Sequence, residues 1–237
     1  MRKIWIPGLL FLALLGTAAA ETGQNRWQMG LAFEPFFPQG EFHQVMDRIG
    51  WGGSMDLLYR IPDSALHIGA AFAYHIYGWQ SRWEPFSGTI PDIWVKVSTS
   101  NAIFRSHALL RLQPSLGAAR PYIEGLIGLQ HLTTDTRAYD DSDWEYEQIA
   151  STNHIRSTVF SYGLGGGLML GLFGRAPTAE KGSFAVLLDV GIRYLRGGPA
   201  YYMQPGDMEL GDDGVTYYLN RSRTDILMPK IGVAFAF

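Results

Sequence analysis

The sequence predicts an all-β fold: a membrane-spanning, antiparallel, up-and-down β-barrel, most simply of eight strands, with ten as the alternative. Three observations predict it. Side chains alternate between two faces through eight segments of about 10 residues, the length that a tilted strand needs to cross a bilayer. One face of each segment is large and apolar with aromatics near its ends, and the other is small, polar or charged. The connections alternate between short turns and long stretches, the rule for barrels with turns on one side of a membrane and loops on the other.

Composition agrees. The 237 residues are 47% hydrophobic and 14% aromatic but only 17% charged, with 28 glycines and a mean hydropathy of -0.01. An apolar row averaged against a small, polar row gives that near-zero value. The absence of cysteine excludes a disulfide scaffold, a cysteine-ligated metal, a thiol nucleophile and a lipoprotein anchor. A formal charge of -3 argues against nucleic acid as a partner.

Residues 1–20 read as a cleaved signal peptide. Arg2 and Lys3 precede an apolar run from Ile4 to Leu15, and Ala18 and Ala20 form the small-x-small cleavage pattern. The run is shorter than the roughly 20 residues of a spanning helix and contains Pro7-Gly8. Residues 21–237 are then one barrel domain, expected to be exported.

The strands follow in order. The first sets Trp27, Met29, Leu31 and Phe33 against Gln28, Gly30, Ala32 and Glu34. The second sets Trp51, Met55, Leu57 and Tyr59 against Gly52, Ser54, Asp56 and Arg60. Leu66 to Ile76 form the third, with Phe72 and Tyr74 on one face and His67, Gly69, Ala71, Ala73 and His75 on the other. In the fourth, Phe104, Ala108, Leu110 and Leu112 oppose Arg105, His107, Arg111 and Gln113. The fifth starts near Tyr122 and sets Ile123, Ile127 and Leu129 against Glu124, Gly128 and Gln130. Phe160 to Leu172 form the sixth, whose second face is Ser161, Gly163, Gly165, Gly167 and Gly171. The seventh sets Phe184, Val186, Leu188, Val190, Ile192 and Tyr194 against Ala185, Asp189, Gly191 and Arg193. The last sets Ile231, Val233, Phe235 and Phe237 against Lys230, Gly232, Ala234 and Ala236. Glycine weakens an exposed strand face, whereas small residues beside charges suit the inside of a narrow closed barrel.

Lys230, Gly232, Phe235 and Phe237 spell polar-x-Gly-x-x-aromatic-x-aromatic. This resembles the C-terminal assembly signal of bacterial outer-membrane β-barrel proteins. The resemblance implies recognition by the barrel-assembly machinery, with periplasmic chaperones during biogenesis. The stretch from Arg120-Pro121-Tyr122 through Gly125 to Gly128 is similar to a strand of the OmpA-like outer-membrane β-barrel superfamily, a porin-family small barrel. A Pro-rich linker and a peptidoglycan-binding domain are not seen, so a peptidoglycan anchor is not implied. The implied location is the outer membrane of a diderm bacterium.

The small face collects the candidate site residues: Glu34, Asp56, Glu124 and Asp189 as acids, Arg60, Arg105, Arg111, Arg193 and Lys230 as bases, and His67, His75 and His107 beside them. Charges out of water need partners, so the expectation is a salt-bridge network plugging the lumen; a gated path for small solutes or ions is the alternative. His67 and His75 lie eight residues apart on one strand, too far to ligate one ion. No metal, cofactor or catalytic residue is expected. A Gly-x-Ser-x-Gly elbow is absent, and His131, His154, Asp135 and Ser157 are the residues from which a barrel lipase or deacylase would have to be built. The long connections read as external loops. One carries Trp79, Trp83, Phe86 and Trp94, one runs acidic from Asp135 to Glu147, and one holds Gly211-Asp212-Asp213-Gly214 as a hairpin tip. The expected role is structural or surface-interacting, for a monomer among outer-membrane lipids and lipopolysaccharide.

Overall fold

The computed structural model describes residues 26–87, 90–114, 117–140, 148–173, 184–203, 208–211, 214–217 and 219–237. In chain order these form β1 (Trp27–Phe33), β2 (Phe37–Pro38), α1 (Glu41–Val45), β3 (Trp51–Arg60), β4 (Leu66–Ser87), β5 (Ile90–Leu112) and β6 (Ala119–Asp140). There follow β7 (Gln148–Phe173), β8 (Ala185–Gly197), β9 (Pro199–Tyr202), β10 (Met208–Gly211), β11 (Gly214–Tyr217), β12 (Asn220–Arg223) and β13 (Ile226–Ala236).

Eight of these strands close on themselves. The order is β1-β3-β4-β5-β6-β7-β8-β13, and β13 returns to β1. The seam runs from Gln28 opposite Ala236 to Phe33 opposite Ile231. It ends with a reciprocal pair of backbone bonds between Trp27 and Phe237 of 2.9 and 3.0 Å. The barrel therefore has eight strands, not the ten of the alternative. Closure leaves no unpaired edge around its waist.

The period-2 reading of the faces holds through the closed section. Trp27, Leu31, Phe33, Leu57, Ile68, Leu110, Ile127, Leu164, Val190 and Ile231 point outward and are exposed, while Gln28, Asp56, His67, Arg111, Glu124, Arg193 and Lys230 are buried. Several inward positions are apolar rather than small or charged, among them Leu58, Leu109, Leu126, Met169, Leu187 and Leu195.

The strands are unequal. β4, β5, β6 and β7 run to 22, 23, 22 and 26 residues, against 7, 10, 13 and 11 for β1, β3, β8 and β13. Two stretches expected as loops are ladders instead. The β4–β5 pairing continues from Ile76 opposite Ala102 to Ser87 opposite Ile90. The β6–β7 pairing continues past Leu132 opposite Ser157 to Tyr139 opposite Gln148. Together they raise a four-stranded wall above the closed section. The sequence there shows no strict apolar–polar alternation, with Gln80, Ser81, Arg82 and Glu84 interrupting it; Val95, Val97, Thr99, Thr133 and Thr134 supply strand propensity instead. The hairpin expected around residues 211–214 is present as β10 on β11, with Gly211 opposite Gly214.

One bulge changes what the wall shows. The β4–β5 register shifts between Ile76 and Gly78. Below it the even residues Tyr74 and Ile76 face out; above it the odd residues Trp79 and Trp83 do, and Tyr77 is turned inward and buried. An extra residue in one strand does this because side chains alternate strictly.

Close strand approach accounts for the position of Gly128. A Cβ there would strike the Ser106 carbonyl oxygen, whereas a Cβ on outward Gly125 would meet only Leu164 Cδ2 at 4.0 Å. Gly128→Val is expected to cost about 1–3 kcal/mol of unfolding free energy through overpacking, and Gly125→Val less than about 0.5 kcal/mol. Urea titration of the protein refolded in vesicles measures both; equal losses would show that the two glycines answer the same need.

Candidate functional site: a neutralised lumen under a capped mouth

All twelve lumen residues expected from the sequence are buried inside the barrel, and eight of them form one connected cross-section. Arg193, from β8, is the hub. Its Nε donates to Glu124 Oε1 at 2.6 Å, its Nη2 to Asp56 Oδ2 at 2.6 Å and its Nη1 to Glu34 Oε2 at 3.3 Å. Arg111, from β5, donates to Glu124 Oε2 at 2.6 Å and to Asp56 Oδ2 at 2.9 Å. Lys230 Nζ, from β13, lies 3.2 Å from Asp56 Oδ2 and 2.8 Å from Asp189 Oδ2. Arg105 donates to Glu34 Oε1. Glu34, Asp56, Glu124 and Asp189 thus meet Arg105, Arg111, Arg193 and Lys230, a set with no net charge.

Tyr122 fills the space below. Its hydroxyl donates to Asp189 Oδ1 at 2.8 Å. Its ring lies under the Arg111 guanidinium, 4.4 Å from the centroid, and 5.4 Å from Lys230 Nζ. Glycine faces make the room: a Cβ on Gly167 would come within 2.6 Å of the Tyr122 hydroxyl, and one on Gly191 would also collide with it. The glycine-rich face of β7 and β8 is therefore the mould of an aromatic ring and the arginines beside it.

The remaining expected residues sit at two levels. Arg60 lies directly opposite His67, and His67 opposite Arg111, toward the end with the short turns. Arg120, buried at the same end, was not among the expected set. At the other end His75 Nε2 is 2.5 Å from the Glu34 carbonyl oxygen. His107 Nε2 is 2.7 Å from Ser161 Oγ, and both residues are buried.

Above the network the mouth is capped by residues 34–50, which the sequence presented only as a connection. Phe36, Phe42 and Met46 are buried against Tyr77, Ile103, Leu132, Tyr202, Ile226 and Met228. Phe42 packs on Tyr202 with centroids 5.2 Å apart, and Phe36 on His75 at 5.4 Å. The cap is tied down at several points. β2 pairs with β13, Phe36 and Gly50 exchange both backbone bonds, and the Gln39 N–H donates to the Asp225 carbonyl at 2.9 Å. The Arg223 N–H donates to Glu41 Oε2 at 3.1 Å. Gly40, at φ +56°, makes the turn into α1. No periodic pattern marks these residues in the sequence; Phe36, Phe42 and Met46 are the only trace.

The residues considered for catalysis do not assemble among the described side chains. His131 Nδ1 is 2.7 Å from Thr158 Oγ1, and Ser157 Oγ accepts from the Tyr201 N–H. Asp135 is four residues along the strand from His131, roughly 13 Å away. The side chain of His154 lies outside the described residues, as do Ala18 and Ala20 and the acidic stretch 141–147. In the C-terminal motif, Phe235 stacks outward on Phe184 at 6.0 Å and Phe237 is exposed. Gly232 sits where a Cβ would collide with Leu31 and Ala32 across the seam, and Lys230 points into the lumen network.

Removing one member of the network leaves charges buried and uncompensated. Asp56→Asn is expected to cost about 3–5 kcal/mol of unfolding free energy, because Asp56 serves Arg111, Arg193 and Lys230. Asp63→Asn, in an exposed turn, should cost less than about 0.5 kcal/mol. Urea unfolding checks both, and a neutral Asp56→Asn would mean that the interior is wet rather than packed.

Among solved structures, the chain is similar to Neisserial surface protein A, with 13% identity, 89% of this chain and 94% of that one covered, and a TM-score of 0.37. It is similar to Ail, the attachment invasion locus protein of Yersinia pestis, with 12% identity, coverage of 92% and 100%, and a TM-score of 0.39. It is also similar to a major outer membrane protein from Thermus thermophilus, with 12% identity, coverage of 88% and 99%, and a TM-score of 0.30. No family model matches the sequence, and no curated protein sequence does. The eight-stranded closed barrel stands on the chain's own strand pairing.

Proposed function

We propose that this chain is a bacterial outer-membrane β-barrel protein with a plugged lumen, acting at the cell surface through structure and contact. The observation that carries this is the inversion of the barrel: large apolar side chains cover the outside of the closed section, and the charges are inside. A water-soluble barrel has the opposite arrangement, and a closed sheet is one of the few structures whose backbone is satisfied in lipid. On this reading the short turns face the periplasm, and the wall of β4 to β7 stands outside the cell. The C-terminal resemblance supports delivery by the barrel-assembly machinery. The proposed cleavage after Ala20 leaves residues 21–237 as the inserted domain. The Pro121, Tyr122, Gly125 and Gly128 pattern supports a place in the OmpA-like superfamily.

The wall supplies the interaction surface. Among the described residues β4 above Ile76 pairs only with β5, so its outer edge offers free backbone groups to an extended segment of another protein. A narrow solute path has less support, because the Asp56 cross-section is filled by four cations, four carboxylates and the Tyr122 ring.

Refolded into phospholipid vesicles, the protein is expected to show heat-modifiable electrophoretic mobility. In planar bilayers its conductance should be no higher than that of protein-free membranes. Failure to insert would remove the membrane placement; steady channel openings that respond to lumen charge substitutions would replace the plugged barrel with a pore.

A further inference from the structure

The outer face of the wall carries large aromatic side chains above the point where the apolar girdle ends. At the rim of the closed section, Phe33, Trp51, Tyr74 and Phe104 face outward and are exposed, with Phe33 stacked on Trp51 at 6.0 Å. Four residues farther along β5, roughly 13 Å by strand rise, Ser100 lies opposite Trp79. There the surface changes character. Trp79 is 71% exposed and Trp83 47%. Between and beside them stand Ser81, Ser98 and Ser100, with Asp135 opposite Ser100 on β6 and Ile76 the last exposed aliphatic below Trp79.

The patch is ordered. Trp79 Nε1 donates to Ser98 Oγ at 3.0 Å, and Ser81 Oγ donates to the same oxygen at 3.3 Å. That fixes one indole and leaves the Ser98 hydroxyl proton to be donated outward, since a hydroxyl is both donor and acceptor. Trp83 is four residues from Trp79 on the same face, again roughly 13 Å along the strand. Both indoles face outward only because the bulge at Tyr77 and Gly78 shifts the alternation by one; without it they would point into the mouth.

We propose that this face binds sugar, and that its occupant is the core oligosaccharide of the lipopolysaccharide surrounding the barrel. The proposal rests on the outer-membrane placement above. The C–H faces of pyranose rings carry partial positive charge and pack on the electron-rich face of an indole, while ring hydroxyls exchange hydrogen bonds with serine. Hydrocarbon chains would gain from the indoles but strand the three serine hydroxyls. The height also favours sugar: the patch stands roughly 13 Å by strand rise beyond the aromatic rim, on the face continuous with the outward apolar row of the closed section.

The test uses the full mature chain refolded in detergent micelles and a lipid-free core oligosaccharide released by mild acid and labelled for fluorescence anisotropy. Saturable binding is expected, weakened about tenfold or more by Trp79→Ser with Trp83→Ser. Ser98→Ala should weaken it less, and deletion of Gly78 should abolish it by turning both indoles inward. Absence of saturable binding, an unchanged affinity in the double variant, or equal affinity for a dextran oligosaccharide of the same length would each overturn the proposal. Heat-modifiable mobility in vesicles is read in parallel. A chain that fails to insert overturns the membrane placement itself, whereas one that inserts and ignores the oligosaccharide overturns only the sugar site.

Discussion

The charge balance inside the barrel sets the terms for the rest of the molecule. Four carboxylates and four cations share one cross-section, and Arg193 alone reaches Glu34, Asp56 and Glu124. Buried ions are tolerable only when each is paired and its hydrogen bonds are met. That requirement fixes the register of neighbouring strands more strictly than the outward face does. A slip by one residue would still leave some apolar side chains outside, but it would move Arg111 or Lys230 out of the lumen altogether. Polar interior and apolar exterior therefore enforce the same alignment from opposite sides, and the glycines of β7 and β8 supply the space in which Tyr122 and the arginines fit.

The cap depends on that packed section without adding to its charge. Residues 34–50 leave β1 at Glu34, whose carboxylate belongs to the network and whose backbone carbonyl meets His75. The same short stretch then turns apolar and lays Phe36, Phe42 and Met46 over the mouth. Ionic fill below and aromatic fill above are thus joined through one residue. The mouth is closed by side chains with little affinity for water, resting on side chains that are already mutually satisfied.

Much of this was legible in the sequence, and the failures have physical causes. Period-2 alternation separated inside from outside in all eight segments, because the outward faces are apolar and the lumen faces small, polar or charged. It listed Glu34, Asp56, Glu124, Arg111, Arg193 and Lys230 on the inner face. It could not pair them, since Lys230 and Asp56 are 174 residues apart and Arg193 and Glu34 159. Residues 79–94 read as a loop in the sequence because polar residues and the shift at Ile76 and Gly78 break the alternation there. Inward Leu109, Leu187 and Leu195 were passed over because apolar residues sit on both faces of those strands, and the cap was missed because Phe36, Phe42 and Met46 follow no period.

The seam between β1 and β13 joins the first barrel strand to the last, and this governs how such a chain can be assembled. The carboxylates of Glu34 and Asp56 are made early; Arg105 and Arg111 come with β5, but Arg193 and Lys230 arrive only with the final two barrel strands. An incomplete barrel therefore has an open sheet edge and an incomplete set of counter-charges at once, and each alone is unfavourable away from water. Assembly one hairpin at a time would pass through the worst of these states. Closure and charge neutralisation must be completed together, which makes the eight strands a single cooperative unit even though most contacts lie between neighbouring strands.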